Sequence, residues 1–182
     1  VSFPIAALVA VRYGRHIGID HDDWGYRTNG RIIGVGLVTG VLVFLALQGV
    51  GLVVESAIGT DEAVATFGFL LSDIEAGVWM VALFAFAHGI VAPIAEELVW
   101  RGVVQTALVK SQGPAVGILV TAVLFTAKHA VLDASFARVP ALIILALALG
   151  LVRHRWGTTA STVVHAVVNL TAVAGVAVLV FG

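Results

Sequence analysis

The sequence predicts an all-α fold, a polytopic transmembrane bundle of about six helices with one interfacial helix beside it. Three observations carry that prediction. Of 182 residues, 60% are hydrophobic and only 12% charged, where a soluble domain averages roughly 45–50% apolar and about 25% charged; the mean hydropathy is +1.06. Apolar runs long enough to cross a hydrocarbon core of roughly 30 Å, about 20 residues as a helix, recur between charged segments. These runs lack the alternation of a membrane strand, and backbone in lipid must bond internally, so a helical bundle is expected and a barrel is not.

The chain opens at Val1 on an apolar run that stops at Arg12, so residues 1–11 read as the end of a helix whose earlier part precedes this sequence. They do not read as a signal peptide. Five spanning runs follow, at 31–54, 77–110, 114–132, 139–152 and 158–181. Residues 61–72 are shorter and mixed, the pattern of an interfacial helix. With no internal repeat and no low-complexity linker, residues 1–182 are expected to form a single membrane domain.

Charge sets further limits. Ten Lys and Arg against eleven Asp and Glu leave a net charge of -1, so nucleic acid is not an expected partner. Absence of Cys removes thiolate nucleophiles, Cys-ligated metals and disulfides. Lys and Arg concentrate in alternate connections: Arg12, Arg15, Arg27 and Arg31, then Lys110, then Arg153 and Arg155. Residues 55–76 have none, and 128–138 carry Lys128 and Arg138. The first, third and fifth connections are therefore expected on the cytoplasmic side.

Ionisable groups inside spanning helices cost about 2.5–3.5 kcal/mol each even on a lenient scale, which makes them functional candidates. Three places break the apolar pattern: Glu96-Glu97-Leu98-Val99-Trp100-Arg101, Phe125-Thr126-Ala127-Lys128-His129 and His165-Ala166-Val167-Val168-Asn169. Residues four apart share a helix face. Glu97 and Arg101 suit a local salt bridge, Glu96 points about 100° away, Phe125 can pack beneath His129, and His165 shares a face with Asn169. With a rise of about 1.5 Å per residue and a hairpin turning at 110–114, Glu96 and His129 fall level, and His165 reaches them in the cytoplasmic third of the bilayer. The polar stretch Asp133 to Arg138 must then lie below the far surface in a recessed, wet cavity, which a fifth helix of only 139–152 would allow.

One acid, two imidazoles and a carboxamide contain a water-activating pair and an oxyanion-binding pair, which suits amide hydrolysis. Glu96 would accept the proton of water, His129 would share that water, and His165 and Asn169 would donate hydrogen bonds to the tetrahedral oxyanion. The ordered motifs EExxxR, FxxxH and HxxxN over residues 96–169 resemble the CPBP family, type II CAAX prenyl endopeptidases together with bacteriocin-processing and Abi-type proteins. The resemblance implies a glutamate-dependent intramembrane endopeptidase. It puts Glu96 and His129 on the water, His165 and Asn169 in the oxyanion hole, and Glu97 and Arg101 in support. No cofactor is implied.

Alternatives differ in class. Zinc at Glu96, His129 and His165 would give a metalloprotease, although HExxH is absent and Asn169 is a poor zinc ligand. A scaffold or bacteriocin-immunity subunit would act by binding a membrane protein partner, and a transporter would use the same groups for proton coupling. GxSG and GxGD motifs are missing, and Ser161 reads as a packing serine. The expected partners are the lipid bilayer and a peptide or membrane-anchored protein substrate, in a prokaryotic cytoplasmic membrane. Among lesser candidates, His88 could border the site, Pro93 is expected to kink the third helix, and Asp20-His21-Asp22-Asp23 reads as a solvated loop. Gly36 and Gly40 form a GxxxG spacing, and Trp24, Trp79 and Trp156 read as interfacial anchors.

Overall fold

Apolar runs bounded by Arg, Lys, Gly and Pro become helices in the computed structural model, which describes residues 2–58, 78–132 and 136–181. The described elements are α1 (Ser2–His16), a 3-10 turn (His21–Trp24), α2 (Gly30–Ile58), α3 (Val78–Gln112), α4 (Pro114–Leu132), α5 (Val139–Trp156) and α6 (Thr158–Phe181). No strand occurs among the described residues. The expected interfacial helix at 61–72 lies outside them, as do Asp133 to Ser135. Four helices, α2 to α5, are long and apolar enough to cross a membrane, so the chain is an integral, multi-pass membrane protein.

Two boundaries differ from expectation for one reason. α1 runs past Arg12 to His16, and α5 continues past Val152 through Arg153, His154 and Arg155 to Trp156. A charge ends an apolar run without ending a helix, and cations in a last turn complement the carbonyl end of the dipole. At 18 residues α5 is a full-length span rather than a short one, so its length no longer argues for a recessed polar stretch.

Two apolar clusters hold the bundle. Ile32 and Val43 of α2, Leu145, Leu149 and Val152 of α5, and Ala160, Val164 and Val168 of α6 form the larger; Ala122, Phe125, Leu142 and Ala146 join α4 to α5 in the other. The close approach of α2 to α6 depends on the GxxxG pair. A β-carbon on Gly36 would stand 2.7 Å from Val163 Cβ, and one on Gly40 2.7 Å from Val167 Cβ, whereas Gly34 has nothing within 4 Å. Gly36→Ala is therefore expected to cost about 1–3 kcal/mol by overpacking. Gly34→Ala should cost nothing, and the two unfolding midpoints in detergent, compared with wild type, check the contrast.

The first, third and fifth connections meet at one end of the bundle. Lys110 reaches the Asp23 carboxylate at 2.7 Å, Arg153 donates to the Asp23 carbonyl at 3.2 Å, and Thr158 donates its amide to the Gly25 carbonyl at 2.9 Å and its hydroxyl to the Trp24 carbonyl. The Lys110 hydrogen bond holds the Asp23 carboxyl below the usual carboxylate range. Trp24 is buried rather than interfacial, because the connection folds over the start of α6. Thr158 is itself fully buried, so α6 begins beneath that connection.

Candidate active site

The third helix is not uniform. Its α-helical geometry gives way to π-helical turns at Ala87–Val91 and Leu98–Val104, on either side of Ala92–Glu97. Pro93 has no amide to give the carbonyl four residues back, and the wider turn before it, with the Ala92 amide bonded to the Ala87 carbonyl, accommodates the loss. Two π turns thus flank the acidic pair, a feature common at functional sites. Tyr26, from the first connection, donates to the Ile94 carbonyl at 3.5 Å. Burial pushes its phenol up to about 12, so it remains a neutral donor.

Glu97 and Arg101 pair as their spacing predicts, Arg101 Nη1 donating to Glu97 Oε1 at 2.9 Å with both side chains fully buried. Arg101 Nη2 also donates to the Ala146 carbonyl at 3.2 Å, and its guanidinium lies 4.7 Å from the Phe125 ring centroid. One turn later Gln105 donates to the Gly150 carbonyl at 3.0 Å. The two side chains thus pin α3 to α5 at matching intervals. Ser161 is fully buried and donates to the Thr158 carbonyl at 3.0 Å.

The histidines are fixed by acceptors. His129 Nδ1 lies 2.9 Å from the Phe125 carbonyl; a carbonyl only accepts, so Nδ1 carries the proton and Nε2 presents a lone pair. Phe125 also packs against the ring, centroids 4.4 Å apart. His165 Nδ1 lies 3.1 Å from Glu97 Oε1, which fixes that ring in the same way and turns its Nε2 toward Glu96. The Glu96 carboxylate joins the two, with Oε1 3.7 Å from His129 Nε2 and Oε2 4.0 Å from His165 Nε2.

Asn169 stands one turn along α6 from His165, and its amide donates to the His88 carbonyl at 2.9 Å. His88 therefore touches the cluster through its backbone, while its ring stacks on Phe84 at 5.1 Å. The residue that sequence reasoning passed over is Lys128. Counted there as a charge of the fourth connection, it lies within α4, and its ammonium reaches Glu96 Oε1 at 2.8 Å and His129 Nε2 at 3.3 Å. Its position inside the FxxxH run was the available signal.

A zinc site would need Glu96, His129 and His165 as ligands. Among the described residues no group of three His, Cys, Asp or Glu is arranged to hold a metal ion, and the Lys128 ammonium stands between two of the three donors.

A family model for type II CAAX prenyl endopeptidases, Rce1-like, matches residues 78–171, just over half of the chain. The chain belongs to this Rce1-like family. The match spans α3, α4, α5 and the part of α6 that bears His165 and Asn169, and thus all three motifs. Neither the curated proteins nor the solved structures include a match to the chain. Family membership associates the Rce1-like chain with peptidases that act on protein or peptide substrates.

Proposed function

We propose that this protein is a glutamate-dependent intramembrane endopeptidase that hydrolyses a peptide bond by direct attack of water. The observation that carries the reading is the Glu96 carboxylate standing 3.7 Å from His129 Nε2 and 4.0 Å from His165 Nε2, on helices that the chain brings together from far apart in sequence. In the reaction, water adds to the scissile carbonyl carbon as Glu96 takes its proton, with His129 holding the water. The tetrahedral oxyanion is met by hydrogen bonds from the Asn169 amide and from Nε2 of His165, which donates there as the imidazolium while its Nδ1–H stays on Glu97. The proton on Glu96 then passes to the departing nitrogen as the C–N bond breaks, releasing an acid and an amine. Glu97 and Arg101 act by holding His165 and the helix register.

The end of the bundle where the first, third and fifth connections meet is assigned to the cytoplasmic side by the alternating Lys and Arg counts, and the proposed site opens toward that side. The substrate is a peptide or membrane-anchored protein, for which a prenylated CAAX tail is the family precedent. Comparative proteomics of membranes from cells carrying the wild-type or the Glu96→Gln protein tests the reading. A peptide or precursor that accumulates only with Glu96→Gln is the expected result and names the substrate. Identical peptide profiles, with both proteins expressed equally, would reject it. A scaffold would instead keep its phenotype in Glu96→Gln and lose it when lipid-facing helix surfaces are changed.

A further inference from the structure

Three atoms form a small triangle at the centre of the site. Glu96 Oε1 and His129 Nε2 are 3.7 Å apart, and Lys128 Nζ stands 2.8 Å from the first and 3.3 Å from the second. A water hydrogen-bonded to the same carboxylate oxygen and the same imidazole nitrogen would stand about 2.7–3.2 Å from each. With Nδ1 protonated, His129 Nε2 has a single lone pair, and Lys128 Nζ already takes it at 3.3 Å, so the ammonium and a water donating to that nitrogen exclude each other.

We propose that Lys128 is a further functional residue of this site: its ammonium holds the place of the reacting water between Glu96 and His129, and its departure limits turnover. The inference rests on the endopeptidase reading above. The other members of the triangle are poorly placed to yield. His129 is tied through Nδ1 to the Phe125 carbonyl and packed against a buried ring, and the Glu96 side chain is 8% exposed. Lys128, on a flexible four-carbon stem, is the most exposed of the three at 30%, against 15% for His129. While it remains, it donates to the carboxylate oxygen nearer His129, and it occupies the imidazole nitrogen that has to orient the water.

The test uses full-length protein in lipid vesicles, with the peptide that accumulates in Glu96→Gln membranes as substrate. Lys128→Met and Lys128→Gln keep length and lose charge. Each is expected to raise kcat about tenfold, the equivalent of ~1.4 kcal/mol of barrier, with KM changed less than about twofold. Lys128→Arg, whose guanidinium binds a carboxylate at two points, should turn over no faster than wild type. An unchanged or lower kcat in the uncharged variants overturns the proposal and makes Lys128 a stabiliser of the reacting groups.

A measurement on the wild-type chain is independent of how the variants fold. Amine-directed acetylation of Lys128, read by mass spectrometry, should quicken when a non-cleavable reduced-amide analogue of the same peptide is bound; equal or slower labelling overturns the proposal. Glu96→Gln separates the two claims. If that variant cleaves the peptide at the wild-type rate, the endopeptidase reading falls regardless of what Lys128 does.

Discussion

Glu96→Gln should abolish peptide hydrolysis by purified protein, lowering kcat at least about 10³-fold while leaving the helical fold in place. The carboxamide keeps the shape of the side chain and an oxygen that accepts from Lys128, but it cannot take a proton from water. General acid–base groups contribute about 10²–10⁴-fold, and here the same group also returns the proton to the leaving nitrogen, which places the loss at the upper end. The assay is turnover of the accumulated peptide in vesicles, with far-ultraviolet circular dichroism as the check on folding. His129→Ala should lose activity as well, since Glu96 then has no imidazole on its Oε1 side. Full turnover by either variant would reject direct activation of water at this cluster.

The second large effect is on stability. Arg101→Ala should cost about 3–5 kcal/mol, the penalty of leaving one member of a buried pair without its partner. Both side chains are fully buried, and Arg101 also holds the Ala146 carbonyl at 3.2 Å and faces the Phe125 ring at 4.7 Å. Removing it therefore strands the Glu97 carboxylate, frees a carbonyl of α5 and opens a gap above Phe125. Adding Glu97→Gln to Arg101→Ala should recover part of the loss, because the stranded charge is then gone. Unfolding midpoints of the two single variants and the double variant measure the coupling; additive losses would show that the pair is not the source of the penalty. Activity should fall with Arg101→Ala too, since the Glu97 oxygen that accepts from Arg101 also orients His165.

The contacts that could be read from the chain lie mostly within one helix. Glu97 with Arg101 and Phe125 with His129 are four residues apart, and the periodicity of the helix alone brings each pair together. The depth argument also anticipated that Glu96, His129 and His165 would converge, because rise per residue is nearly constant. What was not legible depends on bends and on long side chains. Lys128 is next to His129 in sequence and points to a different part of the helix face, yet its stem is long enough to bring the ammonium to the same carboxylate. Asn169 shares a face with His165, but its amide is engaged by the His88 carbonyl, exposed to it by the packing of α6 on the first π turn. The last turns of α1 and α5 run past the expected bounds because a charge ends an apolar run without ending a helix.

The sequence by itself determined that this chain is a helical membrane protein, that four of its apolar runs form helices long enough to span, and which acid pairs with Arg101. Hydrophobic length and the 3.6-residue turn are local properties, and lipid leaves the backbone no alternative. Only the tertiary structure decided which cation meets Glu96, which nitrogen of each histidine faces it, and how close α6 comes to α2. Those outcomes depend on rotation of one helix against another, on two π turns in α3 and on the absence of β-carbons at Gly36 and Gly40. A shift of one ångström in that packing leaves every local pattern intact and changes which atoms are within hydrogen-bonding reach.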